Sequence, residues 1–355
     1  MNTLRVGLLG YGYASKTFHA PLIAGVPGLQ LAAVSSRDAA KVHADWPGLT
    51  VEPTPEALIA RPDLDLIVVP TPNPTHHPLA KAALLAGKHV VVDKPFTVTL
   101  AEARELDALA RHRRRVLSVF HNRRWDGDFL GLRALLDAGS LGRVVHFESH
   151  FDRFRPQVRA RWREQSGPGA GLWYDLGPHL VDQALQLFGV PDAVTLDLAV
   201  LRDGAETDDY FHAQLRYERL RVVLHASSLS AAPGPRFVMH GTRGSYVKHG
   251  LDPQEDLLKG GARPSLQALG DWGSDSEPGR LTLEDTSQQA VAAPAGNHLA
   301  YYAALRDALW SGGPPPVTAE DAIAVMAVIE AGSRSAAERR EVALQRLPGL
   351  PREAA

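Results

Sequence analysis

The sequence predicts two successive folds: a doubly wound α/β domain built on a parallel sheet, then an α+β domain with a large, mostly antiparallel open sheet. Three observations carry this. Short apolar runs alternate with helix-spaced stretches through the first third of the 355 residues, and a glycine-rich turn follows the first run. Beyond residue 120, strand-like runs succeed one another with few helices between them. The length also exceeds what one hydrophobic core usually supports.

Residues 4–9, 29–34, 64–69 and 89–92 are dominated by Val, Leu and Ile. Such runs, lacking polar alternation, are strands of a parallel sheet covered on both faces. Residues 79–86 have helical spacing, and a helix at 100–110 leads into a fifth strand at 116–120, closing the first domain. Strand, helix and strand in this order form right-handed crossovers. Prolines concentrated between Pro47 and Pro78 mark loops. After a helix at 129–138, strands are expected at 144–150, 193–200, 211–217, 222–227, 237–240 and 245–248. The Gly-, Pro-, Asp- and Ser-rich segment 250–294 yields no assignable element. Helices at 297–309 and 319–339 precede a short charged tail. The domain reading is therefore 1–120, then 121–340, with 341–355 as the tail.

Hydrophobic residues make up 45% and charged residues 22%, the balance of a globular chain. A net charge of -2 offers no global attraction to nucleic acid or anionic lipid, so neither is an expected partner. The one dense basic run, Arg111, Arg113, Arg114 and Arg115, reads as a solvated helix end. The absence of cysteine excludes a disulfide framework, a thiolate zinc site and a cysteine nucleophile. The apolar stretch near the start is too short and glycine-rich for a signal peptide, and no segment approaches the roughly 20 apolar residues of a membrane span. A cytoplasmic location is expected.

Gly10-Tyr11-Gly12-Tyr13-Ala14-Ser15 directly follows the first strand and matches the dinucleotide fingerprint of a Rossmann domain, with Ser15 where a third glycine is usual. Phosphate would sit at the helix start that follows. The second strand ends Val34-Ser35-Ser36-Arg37. An NAD site ordinarily places Asp or Glu near this point for the ribose 2′-hydroxyl. Two hydroxyls and a guanidinium suit a 2′-phosphate better, and NADP is the expected cofactor, with NAD possible. The alternative is that Ser36 and Arg37 merely lead into a helix capped at Asp38. The stiff loop Thr71-Pro72-Asn73-Pro74-Thr75-His76 leaves the third strand and should flank the cofactor. His76 and His77 read as helix-entry residues, and no metal is expected.

The fourth strand delivers Asp93-Lys94-Pro95 at its carboxyl end, where a nicotinamide would lie. There the Lys94 ammonium can hydrogen-bond a reacting oxygen, although a surface lysine fits the position equally well. The second constellation is Tyr174-Asp175-Leu176-Gly177-Pro178-His179. If this turn is helical, Asp175 and His179 share a face, and the carboxylate can fix the imidazole tautomer while the other nitrogen meets a substrate hydroxyl. Otherwise Asp175 is a helix cap and His179 a first-turn residue.

The segments GYGYASKTFHAP, VPTPNPTHHPLAKAALLAGKHVVVDKPFT, FHNRRWDGDF, ESHFDRFRPQVRARWREQ and YDLGPHLVDQALQLFG together resemble the Gfo/Idh/MocA oxidoreductases. Within the family they look most like bacterial NADP-dependent scyllo-inositol dehydrogenases and their relatives, over about residues 2–340. Members usually have Glu-Lys-Pro where this chain has Asp93-Lys94-Pro95. The resemblance implies that Lys94, Asp175 and His179 are the catalytic lysine, aspartate and histidine. It also implies an open sheet supporting contacts in a homo-oligomer, a dimer or tetramer.

Asn122 and Trp162 are read as further cofactor contacts, and Arg123, Arg153 and Tyr174, with Lys94, Asp175 and His179, as substrate contacts. The expected activity is hydride exchange with a secondary hydroxyl or ketone of a cyclitol or sugar. Two alternatives stand beside it: a reductase of another carbonyl or dihydrodiol substrate, and a non-catalytic NADP(H) sensor.

Overall fold

The computed structural model describes residues 3–232 and 234–344. The chain folds as two compact units that interleave along the sequence. The first contains the chain up to Trp125 together with Pro253–Trp272 and Asn297–Ile323. The second contains Asp126–Asp252, Gly273–Gly296 and the chain from Ala324 onward. The linear division at residue 120 thus misses two returns to the first unit. One is held by a buried polar clip: Gln254 donates to the Trp125 carbonyl at 3.2 Å and accepts from Trp272 Nε1 at 2.9 Å and from the His298 amide at 2.7 Å. Contacts of such sequence separation leave no periodic signal.

The first unit holds six strands: β1 (Leu4–Leu9), β2 (Leu29–Ser35), β3 (Thr50–Glu52), β4 (Leu66–Val69), β5 (His89–Val92) and β6 (Leu117–Val119). Every pairing is parallel and the spatial order is β3-β2-β1-β4-β5-β6, the doubly wound order expected of a Rossmann domain. Its centre is dry, since all of β4 and Val90 to Val92 are fully buried, as strands covered on both faces must be. The sequence reading omitted β3, whose three half-buried or exposed residues are too few for a pattern. The helices are capped as their sequences dictate. Asp38 accepts from the Lys41 amide, and Thr99 and Glu102 form a reciprocal capping box. The basic run closes the Leu100–Arg113 helix in solvent, with Arg114 in the left-handed conformation at φ 51°.

The second unit holds β7 (Val144–His150), β8 (Ala193–Ala199), β9 (Tyr210–Arg216), β10 (Arg221–Ser227), β11 (Phe237–Gly241), β12 (Gly244–Lys248), β13 (Gly279–Leu283), β14 (Gln288–Val291) and β15 (Val342–Ala343). They form one sheet in the order β14-β13-β12-β11-β7-β10-β9-β8-β15. Among the described residues, only the β7–β10 pairing is parallel. The segment left unassigned by sequence contains β13, β14 and a short helix, Gln254–Lys259. The expected tail is also corrected at its start, because β15 pairs with β8; residues 345–355 lie outside the described residues.

One face of this sheet is covered by the Leu172–Phe188 helix. Phe188 packs on Phe147 of β7 at 5.4 Å between ring centres, and Trp173 packs edge-on against Phe211 of β9 at 5.0 Å. Strand alternation turns His146, Glu148 and His150 to the other face, which is polar. Among the described residues, no helix is long and apolar enough to cross a membrane.

Candidate active site

In the first unit, the turn after β1 has the shape the fingerprint demands. Gly10 sits at φ +77°, and a Cβ on Gly12 would meet no protein atom within 4 Å, leaving backbone open to a ligand. A helix starts at once, with the Lys16 amide donating to the Gly12 carbonyl at 3.0 Å. Its next turn, Ser15–His19, is wound wider than an α-helix, a local form common at functional sites. Ser15 is fully buried and its hydroxyl donates to the Gly10 carbonyl at 2.8 Å. The residue that departs from the fingerprint therefore closes the turn. Tyr11 is buried, with its hydroxyl on Asp45 at 3.0 Å, whereas Tyr13 is exposed.

At the end of β2, the Ser35 hydroxyl accepts from the Gly10 amide at 2.9 Å. Ser36 bonds the backbone of Asp38, and Asp38 caps the Ala39–Asp45 helix, so the capping alternative describes the local structure. Arg37 is exposed and makes no hydrogen bond or ion pair with the described residues. Capping and phosphate binding are compatible, since the cap uses Asp38 and leaves the guanidinium in solvent. These residues fit a dinucleotide: an open glycine turn, a helix start facing it and a cation beyond β2.

The loop after β4 is tied to the loop after β5 by His76, buried with Nδ1 2.8 Å from the Pro95 carbonyl and Nε2 2.8 Å from the Thr71 carbonyl. Thr71 also accepts from the Thr75 hydroxyl at 2.7 Å, Pro72 precedes the turn, and Asn73 is buried within it. His76 thus braces the loop that sequence reading set beside the cofactor. His77 binds Glu105 at 2.9 Å.

Lys94 follows β5, half-buried, its amide donating to the Asp93 carboxylate at 2.8 Å. Burial would raise the Asp93 carboxyl, but the His19 ring and the charges of Lys94 and His76 outweigh it and hold it at about 2. His19 Nε2 lies 3.6 Å from Asp93, and its Nδ1 is 2.6 Å from the Tyr302 hydroxyl. This buried chain fixes the carboxylate next to Lys94. Sequence reading missed His19 and Tyr302. His19 lies inside the fingerprint segment and a buried histidine there was a usable signal, whereas Tyr302 arrives on the Leu299–Ser311 helix.

In the second unit, Asp175 and His179 stand four residues apart within the Leu172–Phe188 helix, with His179 buried and Asp175 partly exposed. The helical condition placed on this pair is met, and neither residue is a cap. The helix start is set by Asp208, which accepts from the Trp173 amide at 2.7 Å and whose carboxyl burial pushes up to about 6. At Gly171, φ is +91° and a Cβ would fall 2.0 Å from the Asp208 carboxylate, so glycine is required. Arg163 lies 3.3 Å from Asp175 and stacks on Trp162 at 4.4 Å. Arg163 was also missed, because its loop has no periodicity linking it to the helix.

The remaining expected contacts divide between the two units. Arg123 is buried in an ion pair with Glu255, which Lys259 also binds at 2.8 Å. The pair joins two segments of the first unit, where Asn122 is also buried. Arg153 lies over the Phe151 ring at 4.6 Å, and Tyr174 is partly exposed beside Asp175.

The parallel sheet with its glycine turn and the large second sheet define a two-domain dinucleotide-binding oxidoreductase. Residues 4–121 match the family model described as oxidoreductase family, NAD-binding Rossmann fold, and residues 133–344 match that for the family's C-terminal alpha/beta domain. The chain belongs to the Gfo/Idh/MocA oxidoreductase family. It is 61% identical over 346 residues to the uncharacterised oxidoreductase YdgJ of Escherichia coli K12, covering 97% of this chain and 99% of that one. It is 38% identical over 350 residues to scyllo-inositol 2-dehydrogenase (NADP(+)) IolW of Bacillus subtilis 168, covering 97% of each. Its fold is similar to that of an oxidoreductase from Yersinia pestis, with TM-score 0.92 and 55% identity over 98% of both chains.

Proposed function

We propose that this protein is an NADP-dependent dehydrogenase of a cyclitol or sugar, acting on a secondary hydroxyl or its ketone, with scyllo-inositol the first substrate to test. The observation that carries the reading is the Asp175 and His179 pair on one helix, with Lys94 held at the strand end where such sheets bind nicotinamide. Near full-length similarity to IolW supports the substrate class and the cofactor. The nicotinamide, when bound, supplies the two-electron chemistry by taking up or giving a hydride. His179 takes the hydroxyl proton as the carbinol becomes a ketone and returns it in reduction. Asp175 orients the imidazole, and Lys94 hydrogen-bonds the reacting oxygen as charge develops on it. The polar face of the second sheet is the surface proposed for contacts between copies in a homo-oligomer.

The test is a panel of cyclitols and aldoses, assayed with NADP and NAD by absorbance of the reduced nicotinamide. NADP-dependent oxidation of a cyclitol or aldose is expected. Turnover confined to other carbonyl or dihydrodiol compounds would move the substrate class, and NADPH binding with no turnover at all would make the protein a sensor.

A further inference from the structure

The polar face of the second sheet carries a concentration of histidines. The parallel pairing of β7 with β10 sets His150 opposite His225, and the antiparallel pairing of β10 with β9 sets His225 opposite His212. Asp152 continues the same alternation two residues beyond His150. Donor atoms of His150, Asp152 and His225 all lie within 4.8 Å of one another. We propose that these three residues form a binding site for a divalent transition metal of the zinc type, on the sheet face opposite the Asp175 and His179 helix.

The donors converge, at separations longer than close hydrogen bonds. His150 Nδ1 is 3.8 Å and His225 Nε2 is 3.4 Å from the two Asp152 oxygens. Both exceed ordinary N–H···O distances of about 2.7–3.2 Å. Ligands about 2.0–2.1 Å from a common tetrahedral ion stand roughly 3.3–3.4 Å apart, which the His225 separation matches and the His150 separation, measured to the other oxygen, exceeds by an amount a side-chain rotation closes. The supporting contacts have the form that metal ligands need. Glu148 binds His150 Nε2 at 2.8 Å, leaving Nδ1 as the nitrogen turned to Asp152. The Ser227 amide donates to Asp152 Oδ1 at 2.9 Å, which fixes the carboxylate. A carboxylate behind a ligating imidazole is the usual outer partner. Two imidazoles and one carboxylate suit zinc, cobalt or nickel and poorly suit magnesium or calcium, which prefer all-oxygen sets. The three side chains are 14 to 20% exposed in the single chain, on the face proposed above for contacts between copies, so ion uptake is to be measured beside the oligomeric state.

The experiment uses the untagged full chain, stripped with chelator and dialysed, then titrated with Zn2+ alone by calorimetry and with Co2+ alone by visible absorption. One ion per chain and an intense cobalt band of low coordination number are expected. His225→Gln and Asp152→Asn should each weaken uptake by more than the 10–100-fold typical of a lost outer partner, and Glu148→Gln by about that range. His240→Gln, outside the triad, should bind as the parent does. Circular dichroism and Tm of each variant separate lost ligation from lost fold, and the two ligand variants are independent of each other. Substoichiometric uptake by the parent, or unchanged uptake in whichever ligand variant folds, overturns the site. Because the site lies on the sheet face away from the proposed chemistry, chelation should leave NADP-dependent turnover unchanged.

Discussion

The Ser35 hydroxyl accepts a hydrogen bond from the Gly10 amide at 2.9 Å, which pins the end of β2 to the glycine turn. Ser35 is 2% exposed, so this bond shapes the turn whichever nucleotide binds. Ser35→Ala removes the acceptor and should cost about 1–3 kcal/mol of stability. It should raise KM for NADP and NAD alike. A changed NADP-to-NAD ratio at unchanged stability would reassign the hydroxyl to phosphate recognition.

Cofactor choice is expected to rest on Ser36 and Arg37. A 2′-phosphate on the Arg37 guanidinium gains a charge-assisted bond of roughly 1.5–3 kcal/mol, about tenfold or more in preference for NADP. Arg37→Ala should erase most of that preference. Ser36→Asp, which puts an anion where the phosphate would sit, should reduce or reverse it. The measurement is kcat/KM for both cofactors at one ionic strength, because salt screens an exposed phosphate contact. Equal use of NAD and NADP by the parent would exclude this pocket.

Ser15→Gly restores the usual third glycine of the fingerprint yet should destabilise the protein. The Ser15 hydroxyl donates to the Gly10 carbonyl from a fully buried position. Losing that bond costs about 1 kcal/mol, and glycine within a helix about 0.5–1 more. Urea unfolding of the two proteins decides it, and a more stable glycine variant would show that the serine is merely tolerated.

Lys94→Ala, Asp175→Asn and His179→Ala should each lower turnover by about 100-fold or more, the scale of lost acid–base catalysis. NADPH binding, followed by fluorescence titration, should survive in all three. Full activity in the His179 variant would remove that residue from proton transfer.

Stability should also fall in mild acid because of His89. Its Nδ1 accepts from the Val116 amide at 2.9 Å, and burial, aided by the Arg115 charge, lowers the ring from 6.5 to about 4. The folded state therefore prefers the neutral ring. The contribution is complete above pH 6.5 and is lost as pH falls through about 4. It amounts to up to about 3 kcal/mol. His89→Gln keeps an acceptor in reach and does not titrate, so its unfolding free energy should vary less with pH across that window. Parallel pH profiles for parent and variant would assign the acid sensitivity to other groups.

By itself, the sequence determined the apolar runs of β1, β2, β4 and β5, the glycine turn at Gly10 and Gly12, the Asp93-Lys94-Pro95 strand end and the four-residue spacing of Asp175 and His179. Each is local: a period of 2 or 3.6, or a turn residue, acts over a handful of neighbours. Only the tertiary structure decided that His19 and Tyr302 buttress Asp93, that Arg163 meets Asp175, that Glu255 claims Arg123, and that Gln254 stitches a distant segment to Trp125. It alone brought His150, Asp152 and His225 together. Those contacts depend on strand register and on chain returns across tens to hundreds of residues. There the closing entropy is met by the whole folded core, and no single segment carries a pattern that announces its partner.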